Sequence, residues 1–433
     1  MVAFVGGCLC GRAQNAPTGE PAFAAAREAR WRQDLQFLSA GLKAPGYRIA
    51  GGIATRGQKD FSTLYPTFDA EIDSLETDVR DLTDAEVLLR MIRLMASAHV
   101  AHNRIEIPAG MGFRDHLPLV LQWFSDGLAV IAATPEYSAA LGARVLAIGG
   151  EPPERFLLDV APYASYENQT ELRQDAPNLM IAQGVLAHFK MIGPDGRVML
   201  QLERPGGEQF ALPVAFAQGK VNEVSMLEEL PIPPALHLSH RAAYYWYQYL
   251  PESQTLYIQY NRCENDPKQR FGDFARKVLA DADNNTVKRV VIDLRRNGGG
   301  DAHVFGPLKN GLELRLQRDG TVYVLIGPGT FSSAVDNAVE LRRDLSAVLV
   351  GEPSGGMPGG YGEVDRLTLP NSRLVVRYTT KHEGAPERGA PTSLLPDVAA
   401  PFTISDALAG RDPGLDAAIH DQQGGDGTRK SGK

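Results

Sequence analysis

Two nearly continuous apolar runs, "VVIDL" at 290–294, interrupted only by Asp293, and "VYVLI" at 322–326, restrict the fold most. Continuous apolar strands, unlike alternating ones, belong to a sheet whose two faces are both covered by helices. From about residue 240 strand-like and helix-like stretches alternate: "TLYIQYN", "FGDFARKVLADAD", "RVVIDLR", "TVYVLIG", a helix after Ser332, and "SAVLVGE". The pattern predicts an α/β core at 236–420. The carboxyl edge of such a sheet is where open α/β folds place their sites.

The preceding chain has a different texture. Residues 22–45 show helical periodicity, with Trp31, Leu35, Phe37 and Leu38 near one face. A second helix is predicted at about 69–80. A third, "LTDAEVLLRMIRLMASAH", starts with a Thr83–Glu86 capping box. These define a helical module over 22–114. Strand patterns then follow, "LPLVLQWF", "GLAVIAAT", "ARVLAIGG" and "RVMLQLERPGGEQFALPV", interrupted by a helical stretch at about 152–190. They mark a second unit over 115–235. The Gly-rich tail 421–433 reads as disordered. Residues 1–21 read as a signal remnant or a disordered tail, with an expectation of export to the periplasm or beyond, and "VGGC" weakly matches a lipid-anchoring box.

A chain of 433 residues has room for two or three cores, and 43% hydrophobic with 22% charged residues is an ordinary globular composition. The net charge of −8 provides no basic field, so nucleic acid is not an expected partner. No apolar run approaches the roughly 18 residues of a membrane span. Cys8, Cys10 and Cys263 form neither a disulfide framework nor zinc-finger spacing.

Two loops at the predicted sheet edge can carry chemistry. Gly298 to Gly300 in "RNGGGDAH" free a backbone to expose N–H groups, for an oxyanion, a phosphate or merely a turn; no phosphate-loop or dinucleotide fingerprint accompanies them. In "GPGTFSSAVDNAV" the pair Ser332-Ser333 stands at a strand-to-helix turn, where a serine is either a helix cap or an exposed nucleophile beside oxyanion-stabilising N–H groups. A serine nucleophile needs a base. No lysine lies between Lys309 and Lys381, and His99 and His102 of "ASAHVAHNRI" are the most suggestive histidines. Zinc at that pair lacks the glutamate of a His-Glu-x-x-His motif.

In order and spacing, "RVVIDLRRNGGG", "TFSSAVDNA", "VLVGEPSGGMPGGYGE", "LTLPNSRLVV" and "LLPDV" resemble the tail-specific, or C-terminal-processing, serine peptidases, nearer the tricorn-core branch than the Ser–Lys branch. The resemblance spans about residues 30–415. It implies a crotonase-like α/β core with an N-terminal helical module, and a PDZ-like domain in "DGLAVIAATPEYSAALGARVLAIGGEPPERF" and "VMLQLERPGGEQFALPV". It further implies Ser332 as nucleophile, His102 as base, and an oxyanion hole from Ser333 and Gly299 or a neighbouring glycine. The lysine of the Ser–Lys branch would fall near Met357. The expected substrate is a peptide or protein, with no metal or organic cofactor.

The sequence departs from the family where acids are expected. Val100-Ala101 precede His102 without an aspartate or serine, and Val335 follows the nucleophile frame, with Asp336 next. Glu383 and Glu387 are candidates for the orienting acid, Glu387 lying closer to the family position; Glu352 and Glu363 are others. These gaps motivate an alternative, a non-catalytic carrier of apolar ligands or peptides on the same scaffold, with the aromatic stretch 244–260 lining a cleft or simply filling the core.

Overall fold

The computed structural model describes residues 20–43, 65–108, 115–217, 224–225, 228, 233–316, 320–382 and 392–421. The signal or tail reading of the N-terminus and the C-terminal tail from 422 lie outside the described residues. The first helices are α1 (Glu20–Lys43), α2 (Phe68–Asp78) and α3 (Asp84–Ala96). Thr83 caps α3 with the reciprocal Thr83–Glu86 box that its sequence predicts. Trp31, Leu35 and Leu38 of α1 are buried, but Phe37 is 43% exposed. Two positions beyond Leu35 a side chain stands about 200° around the helix, so Phe37 cannot share that face.

A short strand, β1 (Arg104–Glu106), follows α3. Next come β2 (Leu119–Phe124), β3 (Gly127–Ala133) and β4 (Arg144–Ile148). Helices α4 (Pro153–Val160), α5 (Gln169–Met180) and α6 (Gln183–His188) occupy the predicted helical interruption, before β5 (Arg197–Glu203), β6 (Gln209–Ala215) and β7 (Val224–Ser225). Strands β2 to β6 pair antiparallel in chain order, β2 at one edge, with β7 on β3. Alternation along β5 buries Val198, Leu200 and Leu202 and leaves the intervening positions exposed. The apolar faces of α1 to α3, this sheet and α4 to α6 form one continuous hydrophobic cluster.

The remaining chain holds α7 (Leu236–Ser239), β8 (Tyr245–Leu250), β9 (Thr255–Tyr260), α8 (Phe271–Asp283), β10 (Arg289–Asp293), α9 (Gly306–Leu316), β11 (Thr321–Ile326), α10 (Ser333–Leu345) and β12 (Val348–Gly351). Then follow β13 (Tyr361–Thr368), β14 (Val375–His382), β15 (Val398–Ala399), α11 (Ile404–Leu408) and α12 (Pro413–His420). One sheet runs β15-β12-β11-β10-β9-β8, parallel except for β8. Helices α8, α9 and α10 return the chain to the same end of the sheet, which is what parallel pairing requires. The aromatic stretch 244–260 is the β8–β9 hairpin: Tyr245 and Tyr260 pack on Phe271, and Tyr257 is fully buried, so it belongs to the core.

Register levels the strand ends. Asp293 of β10 pairs with Leu325 of β11 and Gln259 of β9, and Ile326 pairs with Gly351 of β12. The loops after β10, β11 and β12 therefore leave the sheet at one edge. On the other side, β13 and β14 form a hairpin whose β14 pairs with β1, Arg104 facing Arg377. This pairing ties the segment after α3 to the late part of the chain.

At the sheet edge a buried ionic network fixes the loop after β10. Arg295, with a side chain 12% exposed, donates to Asp293 Oδ2 at 2.6 Å and to both oxygens of Asp412 at 2.7 and 2.8 Å. Asp412 also meets His237 Nδ1 at 2.8 Å, and Tyr257 donates to Asp293 at 2.7 Å. Burial opposes ionisation of Asp412, but Arg295 and His237 outweigh it and hold the carboxyl well below its ordinary range. Removing one partner of such a cluster strands buried charge, so Arg295→Met is expected to cost about 3–5 kcal/mol in urea unfolding at pH 7. Because the folded Asp412 pKa is depressed, its contribution is present above about pH 4 and lost on further acidification. The difference between wild type and Arg295→Met should therefore shrink below that pH.

Candidate active site

The loop after β11 is built to hold Ser332 in an unusual conformation. Thr330 Oγ1 donates to the Leu294 carbonyl at 2.9 Å and accepts from Gly327 N at 3.0 Å, and Phe331 N donates to the Asn297 carbonyl at 3.0 Å. Gly356 N closes on the Thr330 carbonyl at 2.9 Å, and a Cβ on Gly356 would stand 2.9 Å from Ser332 N. Ser332 then takes φ +52°, ψ −130°, outside the ordinary regions for a residue with a Cβ. Such strain costs about 1–3 kcal/mol and needs surroundings that over-determine it. The neighbouring packing supplies them.

Ser332 stands at the start of α10 but makes no capping hydrogen bond with its side chain. Its Oγ instead lies 3.3 Å from His102 Nε2, across 230 positions of sequence. Ser333 donates its hydroxyl to the Gly300 carbonyl at 2.6 Å. Its backbone N–H, in the first turn of α10, has no intrahelical acceptor. The cap reading of Ser332 is thereby set aside.

The glycine loop packs against this turn. Asn297, fully buried, donates to the Tyr260 carbonyl at 2.9 Å and accepts from Gly299 N at 2.9 Å. Gly299 was the expected oxyanion donor, and its N–H is committed to Asn297, a correction to that expectation. What Gly299 supplies is close approach: with φ +98°, a Cβ on it would lie 2.8 Å from Ser332 Cβ and 3.2 Å from Ser333 N. Gly298 and Gly300 line the cleft in front of Ser332.

His102 is positioned by its neighbours, and the sequence had signalled none of them. Asn103 is fully buried, donating to Tyr65 Oη at 2.8 Å and accepting from Thr379 N of β14 at 2.8 Å; its carbonyl accepts from Ser165 Oγ. Arg104 donates to the Ala101 carbonyl at 2.9 Å and pairs with Asp175 of α5 at 2.5 Å. Glu167 accepts from Ala101 N at 3.4 Å. The His102 ring lies 4.9 Å from that of Phe331. Burial, with Arg104 and Arg377 adding to it, pulls the imidazole down to about 4, so the neutral form dominates at pH 7. Its Nδ1 is buried without a hydrogen-bond partner among the described residues.

The candidate acids scatter. Glu383 and Glu387 lie outside the described residues. Glu352 lines a different cavity from His102, and burial pushes its carboxyl up, against a hydrogen bond from the Phe402 backbone. Glu363 is exposed on the rim of the main cleft, at φ +47°. Two carboxyls that sequence reasoning missed stand near His102: burial pushes Glu167 up to about 7 and Glu171 up to about 9. A glutamate pair four apart near a helix start, Glu167 and Glu171, was the available signal, but most such pairs are solvated. His99 is exposed, edge-on to Tyr166 at 5.9 Å, and among the described residues no cluster of three metal-ligating side chains occurs. Lys309 is held by Asp344 at 2.8 Å, away from the site. Burial pushes the Cys263 thiol up to about 12, which makes it inert.

His102, Ser332 and Ser333 line a cleft of about 580 Å³ together with Arg104, Glu171, Asp175, Glu363 and Arg377. Charged walls of this kind suit a polar, extended ligand and not an apolar cargo. Among the described residues no helix is long and apolar enough to cross a membrane.

No protein-family model matches the chain, and no curated protein matches it. Solved structures do. Mature CPAF superposes with a TM-score of 0.62 at 15% identity, covering 91% of this chain and 96% of the other. Mature CPAF complexed with lactacystin gives 0.61 at 15% identity, over 91% and 97%. A photosystem II D1 C-terminal processing protease matches more loosely, with a TM-score of 0.40 at 14% identity, over 88% and 98%. The chain has the fold of CPAF.

Two substitutions check the local construction. Gly299→Ala places a Cβ at positive φ against Ser332, and Asn103→Ala removes the buried amide that donates to the Tyr65 hydroxyl and accepts from the Thr379 N–H. Each is expected to lower the urea unfolding free energy by about 1–3 kcal/mol, an amount measurable by fluorescence-monitored titration.

Proposed function

We propose that this chain is a serine peptidase of the tail-specific, C-terminal-processing family, in its tricorn-like branch. The observation that carries the reading is the approach of His102 Nε2 to Ser332 Oγ at 3.3 Å, from segments 230 residues apart, at a strained strand-to-helix turn. Folding has no need of that juxtaposition, since Ser332 caps nothing, whereas a serine nucleophile needs it. The distance suits a resting site that tightens once substrate binds.

In the reaction His102, neutral at pH 7, takes the Ser332 proton as Oγ attacks a peptide carbonyl. The tetrahedral oxyanion receives the N–H of Ser333 and that of a glycine in the 298–300 loop other than Gly299. Collapse expels the amine, which takes the proton back from His102. Water, deprotonated by His102, then attacks the ester, releases the acid product and restores Ser332. The open Nδ1 of His102 is where an orienting carboxylate is required, and family resemblance assigns it to Glu387. Glu167 accepts the Ala101 N–H and makes no hydrogen bond with Nδ1.

We read the parallel sheet with its helices as the crotonase-like core, and the antiparallel sheet β2 to β6 as the PDZ-like unit, with β2 at its edge available for strand addition by an extended peptide. The base arrives from the segment after α3 and the nucleophile from the core. Relative motion of these two parts would separate His102 from Ser332.

Labelling with a fluorophosphonate probe, read by intact mass, tests the nucleophile. Wild type is expected to take one adduct, Ser332→Ala none, His102→Ala at least about 100-fold more slowly, and Ser333→Ala to retain it. Unlabelled, folded wild type would end the peptidase reading.

The orienting acid is tested on peptide turnover. Glu387→Gln is expected to lower kcat by about 10²–10⁴-fold with little change in KM. Glu167→Gln should cost less than about 10-fold, because a neutral amide still accepts the Ala101 N–H.

A further inference from the structure

Gly298, Gly299 and Gly300 each bring an N–H group to the loop beside Ser332, and the hydrogen bonds of their peptide groups decide which one faces it. In a trans peptide the C=O and the following N–H point in opposite directions. The Asn297 carbonyl accepts from Phe331 N at 3.0 Å, so the Gly298 N–H points away from the nucleophile turn. The Gly299 N–H is taken by Asn297 Oδ1 at 2.9 Å. The Gly299 carbonyl accepts from Cys263 N at 3.1 Å, which turns the Gly300 N–H to the side opposite Cys263. The Gly300 carbonyl points away from Cys263 too, because Asp301 N donates to the Cys263 carbonyl at 2.7 Å. That Gly300 carbonyl meets the Ser333 hydroxyl at 2.6 Å. The N–H that the loop turns to the Ser333 side is therefore that of Gly300, which lines the cleft.

Cys263 is the residue against which this loop is set. It pairs with Gly300 as an isolated parallel bridge beyond β9, and a Cβ on Gly300 would stand 2.5 Å from its carbonyl oxygen. Its side chain is enclosed as closely. The thiol lies 3.4 Å from Asn297 Oδ1 and 3.5 Å from Asn337 Oδ1. Both amides are fully buried, and each has its nitrogen committed elsewhere. Asn297 Nδ2 donates to the Tyr260 carbonyl at 2.9 Å, and Asn337 Nδ2 donates to that of Ala302 at 3.0 Å. One S–H thus serves two oxygens, one on the loop after β10 and one on α10. Burial pushes the thiol up to about 12, so the proton it donates stays in place through the neutral range.

We infer that Cys263 is a positioning residue of the oxyanion hole, holding Asn297 and the glycine loop so that the Gly300 N–H joins that of Ser333. The inference rests on the peptidase reading for the reaction it serves. Cys263 is fully buried and reaches no substrate. It acts through Asn297 Oδ1, the acceptor that it shares with Gly299 N.

Labelling with a fluorophosphonate at several concentrations tests this, because the phosphonyl oxygen takes the oxyanion position as Ser332 Oγ displaces fluoride. Cys263→Ala is expected to lower the limiting labelling rate about 10-fold, with the half-saturating concentration unchanged. Cys263→Ser keeps a donor and should restore the rate to within about threefold of wild type. A rate in Cys263→Ala equal to wild type, or a loss that Cys263→Ser does not restore, overturns the inference. Hydrogen exchange at single amides, read by mass spectrometry with electron-transfer fragmentation, follows the same clamp without any reaction. The Gly299 amide should exchange about 10-fold faster in Cys263→Ala than in wild type or Cys263→Ser. Unchanged exchange overturns the inference. Folded wild type that takes no adduct ends the peptidase reading, and exchange alone then decides whether Cys263 holds the loop.

Discussion

Arg295 is enclosed between Asp293 at the end of β10 and Asp412 at the start of α12, and the geometry of the sheet edge depends on that enclosure. Buried charges are costly unless they are paired and hydrogen-bonded, so this cluster restricts the path of the loop after β10. That path brings the Arg295 carbonyl to within 2.5 Å of where a Cβ on Gly329 would be, so the loop after β11 can approach only because residue 329 has none. Asn297 then bridges the two loops, from the Tyr260 carbonyl on one side to Phe331 N on the other. The strained Ser332 backbone is the last member of this chain of constraints.

A second constraint governs His102. His102 lies on neither the sheet nor a helix, and a residue in such a connection is held only by its neighbours. Asn103 beneath it satisfies Tyr65 and the β14 backbone together, and Arg104 reaches Asp175 on α5. His102 is therefore fixed by three regions far apart in sequence. The site therefore forms only when all three regions are in place, with β1 paired to β14 beside it.

Much of the scaffold was legible because the signals were local. The Thr83 box starts α3, the largely apolar runs became β10 and β11, and glycines mark the loops at their ends. Where the local signal was weaker the reading slipped. Phe37 has the composition of a core residue but the wrong angular position on α1. Gly299 has the flexibility of an oxyanion donor, yet Asn297 captures its N–H, and nothing in a run of three glycines says which N–H a buried amide will take. Asn103 was not legible, and the Glu167/Glu171 pair was only an unspecific signal: as residue types they are mostly surface, and only tertiary burial turns them into fixed elements of the site.

The sequence by itself determined the alternation of strands and helices in the core, the helical start, the antiparallel middle and the strand-to-helix turn bearing Ser332. Each of these follows from hydrophobic period, capping or glycine placement within a few residues. Only the tertiary structure decided that His102 meets Ser332 and that the Ser332 side chain makes no cap. Those facts depend on contacts between residues hundreds of positions apart, set by strand register and buried charge, and short-range sequence patterns do not encode them.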